Sequence, residues 1–191
     1  MEMKENKVVV AITGASGQIY AEKLLASLAA LDKPPKETAV IISDTARKVW
    51  EYEIGRKFEV PAMAKGFEND DFFAPFASGS SSWNIMIICP ASMGTIGRIA
   101  AGTSDDLICR AADVMLKERR KLIIVPRETP YSLIHLENMK NLSCAGAIIC
   151  PATPSFYRKT IKIDELVMTV VERIISLAGF EGDSYRWMEN D

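Results

Sequence analysis

Two short turns of small and hydroxyl residues have the composition to bind a phosphate. In TGASG, Gly14, Ala15 and Ser16 follow a β-branched run, and in PASMGT the segment 92–95 follows another. Each turn precedes a helical pattern, and the free backbone N–H groups of a helix N-terminus favour an anion. Ser16 stands where the G-x-G-x-x-G dinucleotide fingerprint has its second glycine, and the sequence contains no Walker A motif. The turns therefore predict anion sites outside the NAD class, with tight packing or N-capping as the alternative for each.

Charged residues near the later apolar runs could bind an anionic substrate. Arg127 and Glu128 follow KLIIVP, at the end of a strand where ligands of an α/β sheet bind, and a surface ion pair is the alternative. Arg110 and Lys117 lie seven residues apart, on one face of a predicted helix. Asp113 lies at helical spacing from both, which favours ordinary intrahelical ion pairs.

Three further side chains are candidates from their context. Tyr157 lies in the proline-rich segment PATPSFYRKT, after the last apolar run. Arg173 interrupts the apolar face of the final helical pattern, where a cation needs a partner or a ligand. His135 is the only histidine, and its context predicts a helix-surface residue rather than a catalyst. The cysteines form no C-x-x-C pair, which predicts reduced and buried thiols at Cys89, Cys109, Cys144 and Cys150.

The elements that must position these residues alternate along the chain. Apolar runs without polar alternation, typical of strands buried on both faces, cover residues 7–13, 37–43, 84–89, 121–126 and 146–150. Helical patterns cover residues 17–31, 104–120 and 164–179, the last with Asp164 as its N-cap and Gly179 as its end. The alternation predicts an α/β fold, a Rossmann-like or flavodoxin-like doubly wound parallel sheet, in a single domain over residues 1–191.

Strand order decides which loops meet. In a flavodoxin-like order the first and third predicted strands are neighbours, so the turns at Gly14 and Ser92 face one ligand. The stretch 55–83 shows no clear periodicity and is longer than most connections, which predicts a site loop or an oligomer contact.

Composition excludes several classes of function. The 23 basic and 25 acidic residues nearly cancel, which argues against a nucleic-acid or anionic-membrane surface. No apolar run approaches the roughly 18 residues that span a bilayer. MEMKENK lacks the apolar region of a signal peptide. We therefore expect a cytoplasmic protein whose positive site is local.

Three segments carry a resemblance to a known family. TGASGQIYAEKLL, RAADVMLKERRKLIIVPRETPYSLIHLENM and GAIICPATPSFY resemble the flavin prenyltransferases, the UbiX family once described as aromatic acid decarboxylases. The resemblance extends from Val8 to about Trp187. It implies FMN bound between the subunits of a homo-oligomer, commonly a dodecamer. It also implies transfer of a dimethylallyl group from dimethylallyl phosphate to N5 and C6 of reduced FMN, and delivery of prenylated FMN to a UbiD-type decarboxylase.

The same resemblance implies roles for individual residues. Flavin contacts fall on Gly14, Ala15, Ser16, Ser43, Ser92, Met93, Gly94, Thr95 and Arg127. Prenyl phosphate contacts fall on Lys117, Arg127, Glu128, Tyr157 and Arg173, with Arg110 near the substrates. Since these cations can stabilise the phosphate charge, no metal is expected. Ser16 and Glu128 are the candidates for proton handling, and Glu53 matches a carboxylate that orders the site.

The chain departs from the family pattern at two points. The family commonly reads P-C-S-x-K-T where this chain reads PASMGT, so Ala91 and Gly94 replace a thiol and a lysine. Ser81 follows S-G-S in place of a common aromatic residue, and the nearby aromatic is Trp83. PASMGT is also partly similar to a loop of flavin-dependent cysteine decarboxylases, which need a catalytic histidine. That class and a non-catalytic FMN-binding accessory subunit are the alternatives.

Overall fold

The structure is a computed structural model, and it describes residues 6–157, 160 and 162–182. Within these residues the strands are β1 (Lys7–Ile12), β2 (Glu37–Ile42), β3 (Ala64–Phe67), β4 (Ile85–Ala91), β5 (Lys121–Pro126) and β6 (Ile148–Ile149). They form one parallel sheet in the order β3-β2-β1-β4-β5-β6. The predicted doubly wound α/β domain is therefore confirmed. The far end of the family resemblance, near Trp187, lies outside the described residues.

The helices cover both faces of the sheet. They are α1 (Gln18–Ala29), α2 (Asp44–Ile54), α3 (Met93–Ala100), α4 (Leu107–Lys117), α5 (Leu133–Cys144) and α6 (Ile163–Ala178), with a 3-10 turn at Pro75–Ala77. Helices α1, α2 and α6 pack with Val8, Val10 and Ile12 of β1. Helices α3, α4 and α5 pack on the opposite face, with Val9 and Ala11. Because alternate residues of a strand bury into different cores, the strand sequences show no polar alternation.

Strand order reverses between β1 and β4. In the register, Val9 pairs with Ala39 of β2 on one side and with Met86 of β4 on the other. The first and third predicted strands are therefore neighbours, as expected. In a doubly wound sheet, a crevice for ligands opens at the carboxyl ends of the two strands where the order reverses.

Two sequence expectations need correction. Stretch 55–83 is not wholly irregular, because it contains β3, an edge strand whose Ala64 pairs with Thr38. The segment AKGF is only four residues long and includes lysine and glycine, so it carries little strand signal. Asp164 is not the N-cap of α6, because Lys162 occupies that position and Asp164 lies in the first turn; Gly179 does end the helix.

The four cysteines are free. Cys89 and Cys109 are buried and Cys150 is half-buried, whereas Cys144 is exposed, so the expectation of buried thiols is wrong at Cys144. Burial raises the pKa of both buried thiols, that of Cys109 to about 12. None of the helices in the described part of the chain has the length and apolar composition needed to cross a bilayer.

Parallel strands give the sheet two different edges. We define the carboxyl edge as residues 13–17, 43–45, 91–95 and Arg127, which follow β1, β2, β4 and β5. We define the amino edge as residues 78–84 and 117–121, at the starts of β4 and β5. Strand β5 has six residues. At about 3.3 Å per residue its two ends lie about 20 Å apart.

Candidate active site

A contact between Arg127 and Ser16 joins two loops at the carboxyl edge. The Arg127 guanidinium donates from Nη2 to the Ser16 hydroxyl at 3.2 Å. The N–H of Arg127 donates to the carbonyl of Ala91 at 3.3 Å, which ties the residue to the end of β4. Glu128 accepts instead from the N–H of Thr129 at 2.9 Å. Arg127 and Glu128 therefore have different partners, and the surface ion pair that was their alternative does not form.

Thr13, which the sequence reasoning missed, fixes the loops after β1 and β4 side by side. Its buried hydroxyl donates to the carbonyl of Pro90 at 2.8 Å and accepts from the N–H of Ser92 at 2.8 Å. A threonine that ends an apolar run just before a glycine turn was the available signal. The two small-residue turns thus face the same space because one side chain joins them.

The start of α3 has the features of an open anion site. The Ser92 hydroxyl accepts from the N–H of Thr95 at 3.3 Å and caps the helix. Within the described residues, no hydrogen bond uses the N–H of Met93 or Gly94. A Cβ placed on Gly94 would meet no atom within 4 Å. Two helix N–H donors therefore point into free space, where the helix dipole favours a negative group.

The start of α1 is different, because a carboxylate already occupies it. The Glu53 carboxylate accepts from the N–H of Gly17 at 2.9 Å and from the N–H of Gln18 at 2.8 Å. The expectation that free N–H groups follow β1 is therefore wrong for these two residues. The physical reason is that the last turn of α2 lies beside this helix start and supplies its own anion. Glu53 thus orders the turn, and its role in a reaction stays a prediction.

Two further contacts shape the turn after β1. Gln18 is fully buried, and its side-chain amide donates to the carbonyls of Thr13 at 2.9 Å and Ala15 at 2.7 Å. A Cβ added at Gly14 would lie 2.5 Å from Cγ2 of Thr45. Gly14 is therefore needed for a close approach to α2, and the turn has one fixed shape.

Ser43 lies at the carboxyl edge as the N-cap of α2. Its hydroxyl accepts from the N–H of Ala46 at 3.2 Å. No hydrogen bond among the described residues uses the N–H of Asp44 or Thr45. A second helix start with unused donors therefore lies at the carboxyl edge, on the other side of the turn after β1 from Ser92.

Lys117 does not lie with Arg127. Lys117 ends α4 at the amino edge, where its ammonium pairs with Glu118 at 2.5 Å. The separation of about 20 Å between the ends of β5 excludes a shared site with Arg127 inside one chain. Arg110 donates to the carbonyl of Ala77 at 3.0 Å and to Asp113 at 3.1 Å. The intrahelical pair expected between Arg110 and Asp113 is therefore confirmed, whereas Lys117 pairs with Glu118 and not with Asp113.

Arg173 is exposed, although the sequence placed it on the apolar face of its helix. The buried positions of α6 are Val167, Val170, Val171, Ile174, Ile175 and Ala178, and Arg173 lies just off that stripe. It lies close enough to Cys150, which follows β6, to act on that thiol: burial raises the pKa of Cys150, and the cation partly opposes the rise. Tyr157 lies in the loop before α6 with 67% of its surface exposed. Neither side chain carries the cost of a buried charge.

Two other candidates have structural partners. His135 accepts at Nδ1 from the N–H of Ser132 at 3.2 Å, within a capping box that starts α5. Trp83 is 4% exposed and packs edge-on against Phe76, with ring centroids 5.4 Å apart. Trp83 therefore belongs to the core, and it does not replace the aromatic that the family commonly carries after S-G-S.

One group of metal-type ligands exists among the described residues, formed by Asp105, Asp106 and Cys109. Arg98 donates to the carboxylate of Asp105 at 2.7 Å and to that of Asp106 at 2.6 Å. Asp106 also caps α4 by accepting from the N–H of Cys109 at 2.8 Å. The Arg98 guanidinium thus neutralises these two carboxylates in place of a metal cation.

The fold and the carboxyl edge together define a nucleotide-binding α/β protein, and the flavoprotein family matches residues 1–175. Flavin prenyltransferase UbiX of Methanocaldococcus jannaschii is 45% identical, over 95% of this chain and 98% of that protein. The chain therefore belongs to the flavin prenyltransferases.

Two solved structures agree with that membership. AnUbiX, solved with FMN and dimethylallyl pyrophosphate, is 40% identical and superposes with a TM-score of 0.89, over 98% of this chain and 100% of that one. The dodecameric FMN-dependent UbiX-like decarboxylase of Escherichia coli O157:H7 is 39% identical, with a TM-score of 0.90 over 95% of this chain and 99% of that one.

Proposed function

We propose that the protein transfers the dimethylallyl group of dimethylallyl phosphate to reduced FMN and so makes prenylated FMN. The observation that carries the proposal is the 3.2 Å contact between Arg127 and Ser16, since it joins the cation expected at the prenyl phosphate to the hydroxyl expected at the flavin. Family membership supports the reaction, and the neighbour solved with FMN and dimethylallyl pyrophosphate supports the pair of ligands. We propose that residues 1–191 form a single flavin prenyltransferase domain.

The carboxyl edge fits a flavin mononucleotide. The unused N–H groups of Met93 and Gly94, beside the hydroxyls of Ser92 and Thr95, suit a single phosphate. When bound, reduced FMN would supply an electron-rich ring that accepts carbon at N5 and C6. Ser43, Gly14 and Ala15 would line the same crevice. The G-x-G-x-x-G fingerprint of dinucleotide-binding proteins is broken at Ser16, which supports FMN over a dinucleotide.

Arg127 would stabilise the phosphate as the allylic C–O bond breaks. Negative charge grows on the leaving group in that step, and a preorganised cation favours the transition state over the ground state. The backbone bond to Ala91 and the contact with Ser16 hold Arg127 in place beforehand. A charge-assisted contact of this kind is worth about 3 kcal/mol, or about 100-fold in rate.

Proton handling is assigned to Ser16 and Glu128. Both side chains are exposed. Ser16 contacts Arg127 at the carboxyl edge, and Glu128 follows Arg127 in the sequence. Glu53 would act earlier, by holding the turn after β1 through its bonds to Gly17 and Gln18. The site thus combines two groups able to move a proton with a carboxylate that holds the turn next to Ser16.

Tyr157 and Arg173 would contact the phosphate from the side of α6. Both side chains are exposed in the free protein, so each can reach an incoming ligand. The Arg173 charge therefore stays in water until the ligand binds. With Arg127 and Lys117 they would neutralise the leaving group by side chains alone. We therefore propose that the reaction needs no metal.

Lys117 and Arg110 would serve the site of a neighbouring subunit. Lys117 lies at the amino edge, which one chain cannot bring to its own carboxyl edge, and Arg110 lies on the same helix. We propose a homo-oligomer, a dodecamer as described for the Escherichia coli neighbour, in which the two edges of different subunits meet. Exposed apolar side chains support association, since Phe73 is 99%, Leu133 71% and Ile134 68% exposed.

The structure offers less support for the two alternatives. The His135 ring is engaged as a helix cap, which leaves a cysteine decarboxylase without its expected histidine. In a non-catalytic FMN carrier, the contact between Arg127 and Ser16 would have no function. We further propose a cytoplasmic setting and delivery of the product to a UbiD-type decarboxylase, which uses prenylated FMN.

One measurement tests the reaction directly. Purified protein is mixed with reduced FMN and either dimethylallyl phosphate or dimethylallyl diphosphate, with EDTA or magnesium, and the mass of the bound flavin is recorded. We expect the mass of a flavin carrying one prenyl group, with the same yield in EDTA. Unmodified FMN with both donors would reject the transferase, and a product formed only with magnesium would reject metal independence alone.

A further inference from the structure

The Lys117 ammonium is held in a narrow space at the amino edge. It pairs with Glu118 at 2.5 Å between Nζ and Oε1, although the two side chains are 45% and 35% exposed. An exposed pair of adjacent residues ordinarily contributes little to stability, since both side chains lose freedom to make it. What lies against this pair therefore decides whether the ammonium keeps one position.

Gly79 lies against the Lys117 and Glu118 pair and leaves room for it, because it has no side chain. A Cβ placed on Gly79 would lie 2.6 Å from Nζ of Lys117, and closer still to Oε1 of Glu118. Gly79 does not have the positive φ found at several other glycines of the chain. The two side-chain ends therefore lie where a Cβ would be, and they would have to shift if residue 79 carried a side chain.

Arg120 prevents the Gly79 segment from moving away. Its guanidinium donates to the carbonyl of Gly79 at 2.5 Å and to the carbonyl of Trp83 at 3.0 Å. Trp83 is anchored in the core against Phe76. The segment 79–83 is thus fastened at both ends, and it forms a fixed wall against which the Lys117 and Glu118 pair is packed.

We propose that Glu118 and Gly79 are positioning residues for Lys117, holding its ammonium ready for the prenyl phosphate of a neighbouring subunit. The inference rests on the proposed function, which places Lys117 at that phosphate. A lysine ammonium has three donors, so the bond to Glu118 leaves two for the phosphate. Fixing a free lysine side chain costs about 2 kcal/mol of rotamer entropy. The pair with Glu118 already restricts the Lys117 rotamers, so less of this entropy is lost when the phosphate binds.

The test replaces each positioning residue and measures binding of the donor. In Glu118→Gln and in Gly79→Ala, we expect KM for dimethylallyl phosphate to rise about fivefold with kcat changed less than about twofold, since the ammonium stays present but is no longer pre-positioned. Calorimetric titration of the FMN-loaded oligomer with dimethylallyl phosphate should show the same loss of affinity. Glu118→Asp, which keeps the charge, should recover part of it.

Matched controls separate positioning from general damage. Glu37→Gln breaks another lysine–glutamate pair near the same edge, that of Lys7 with Glu37, and should leave KM at the parental value. Gly182→Ala adds a methyl group at an ordinary contact distance of 3.7 Å and should also behave as the parent. Melting temperatures of all variants show whether they fold. If Gly79→Ala does not fold, the test rests on Glu118→Gln alone.

A double substitution gives the sharpest outcome. In the Lys117→Met background, Glu118→Gln should have no further effect on KM, because nothing remains to be positioned. An additional effect there, or a parental KM for Glu118→Gln alone, would overturn the positioning role. If Lys117→Met itself kept parental KM and kcat, the assignment of Lys117 under the proposed function would fail with it, so the two failures are distinguishable.

Discussion

The two edges of the sheet present their cations in opposite ways. At the carboxyl edge, Arg127 contacts a neutral hydroxyl, that of Ser16, and the same edge carries helix N–H donors that have no acceptor in the described part of the chain. At the amino edge, Lys117 is paired with a carboxylate and Arg120 with two backbone carbonyls. The first edge is open to an anion from outside, whereas the second satisfies its cations before any ligand arrives.

The difference shows how one small domain can build a highly charged site. Several unpaired cations placed together in one folded chain would repel one another and destabilise it. When they lie on opposite edges, about 20 Å apart along β5, that repulsion is weak, since the distance exceeds the screening length in physiological salt of about 8 Å. Assembly would then bring them together only where the phosphate is bound.

The largest effect should follow from removing the cation of the carboxyl edge. Arg127→Met should lower kcat/KM for dimethylallyl phosphate by about 100-fold, because the charge on the leaving group loses a preorganised partner. The side chain is exposed, so the melting temperature should stay within a few degrees of the parent. Steady-state prenylation followed by mass spectrometry checks the rate. A variant that prenylates at the parental rate would remove Arg127 from the site.

Mixed oligomers should reveal whether the two edges meet between subunits. Lys117→Met should be impaired like Arg127→Met, but co-expression of the two variants in equal amounts should restore about a quarter of the parental activity, since one site in four then has both cations. The measurement is the activity of co-purified, differently tagged chains. No recovery above the single variants would mean that the edges do not form a shared site.

A smaller effect should separate a packed glycine from an open one within the carboxyl edge. Gly14→Ala should lower the free energy of unfolding by about 1–3 kcal/mol, because its methyl group would overlap Thr45. Gly94→Ala should be nearly neutral, since a Cβ there meets nothing within 4 Å. Thermal melting of both variants without FMN provides the comparison. Equal stability of the two would contradict the close approach of α2.

The smallest effect concerns the helix that carries Lys117 to the amino edge. Burial alone would raise the pKa of Asp106, but bonds from the Cys109 N–H and from Arg98 outweigh it and hold the pKa below its ordinary value. A lowered folded pKa contributes stability above the unfolded value of about 3.9, and this is lost as the pH falls through the folded pKa. Asp106→Asn keeps a capping oxygen and should cost about 1 kcal/mol or less at pH 7.

Denaturant unfolding at several pH values checks this dependence. The deficit of Asp106→Asn should shrink as the pH falls below the unfolded value of about 3.9, and it should vanish as the pH passes below the lowered folded pKa. A deficit that stays constant down to pH 2 would show that the ion pair with Arg98 is not its source.

Much of the fold was predictable because its signals are local. The runs at β1, β2, β4 and β5 are apolar over four to seven consecutive residues, so strand type follows from neighbouring residues. Strand β3 was missed because AKGF takes its strand character from pairing with β2 and not from its own composition. Arg173 was misplaced because it borders an apolar stripe, and a shift of one position around a helix turns a side chain by about 100°.

By itself, the sequence determined the central strands, the α/β class and, through its long motifs, the family and the residues available to its site. Only the tertiary structure decided which of those residues meet. Glu53 accepts from the N–H of Gly17, which is 36 positions away in the sequence. Gly79 lies against the ion pair between Lys117, the last residue of α4, and Glu118, the next residue. Periodicity and motifs are short-range properties of the chain. Contacts between elements depend instead on strand order, register and helix placement, which exist only once the chain has packed.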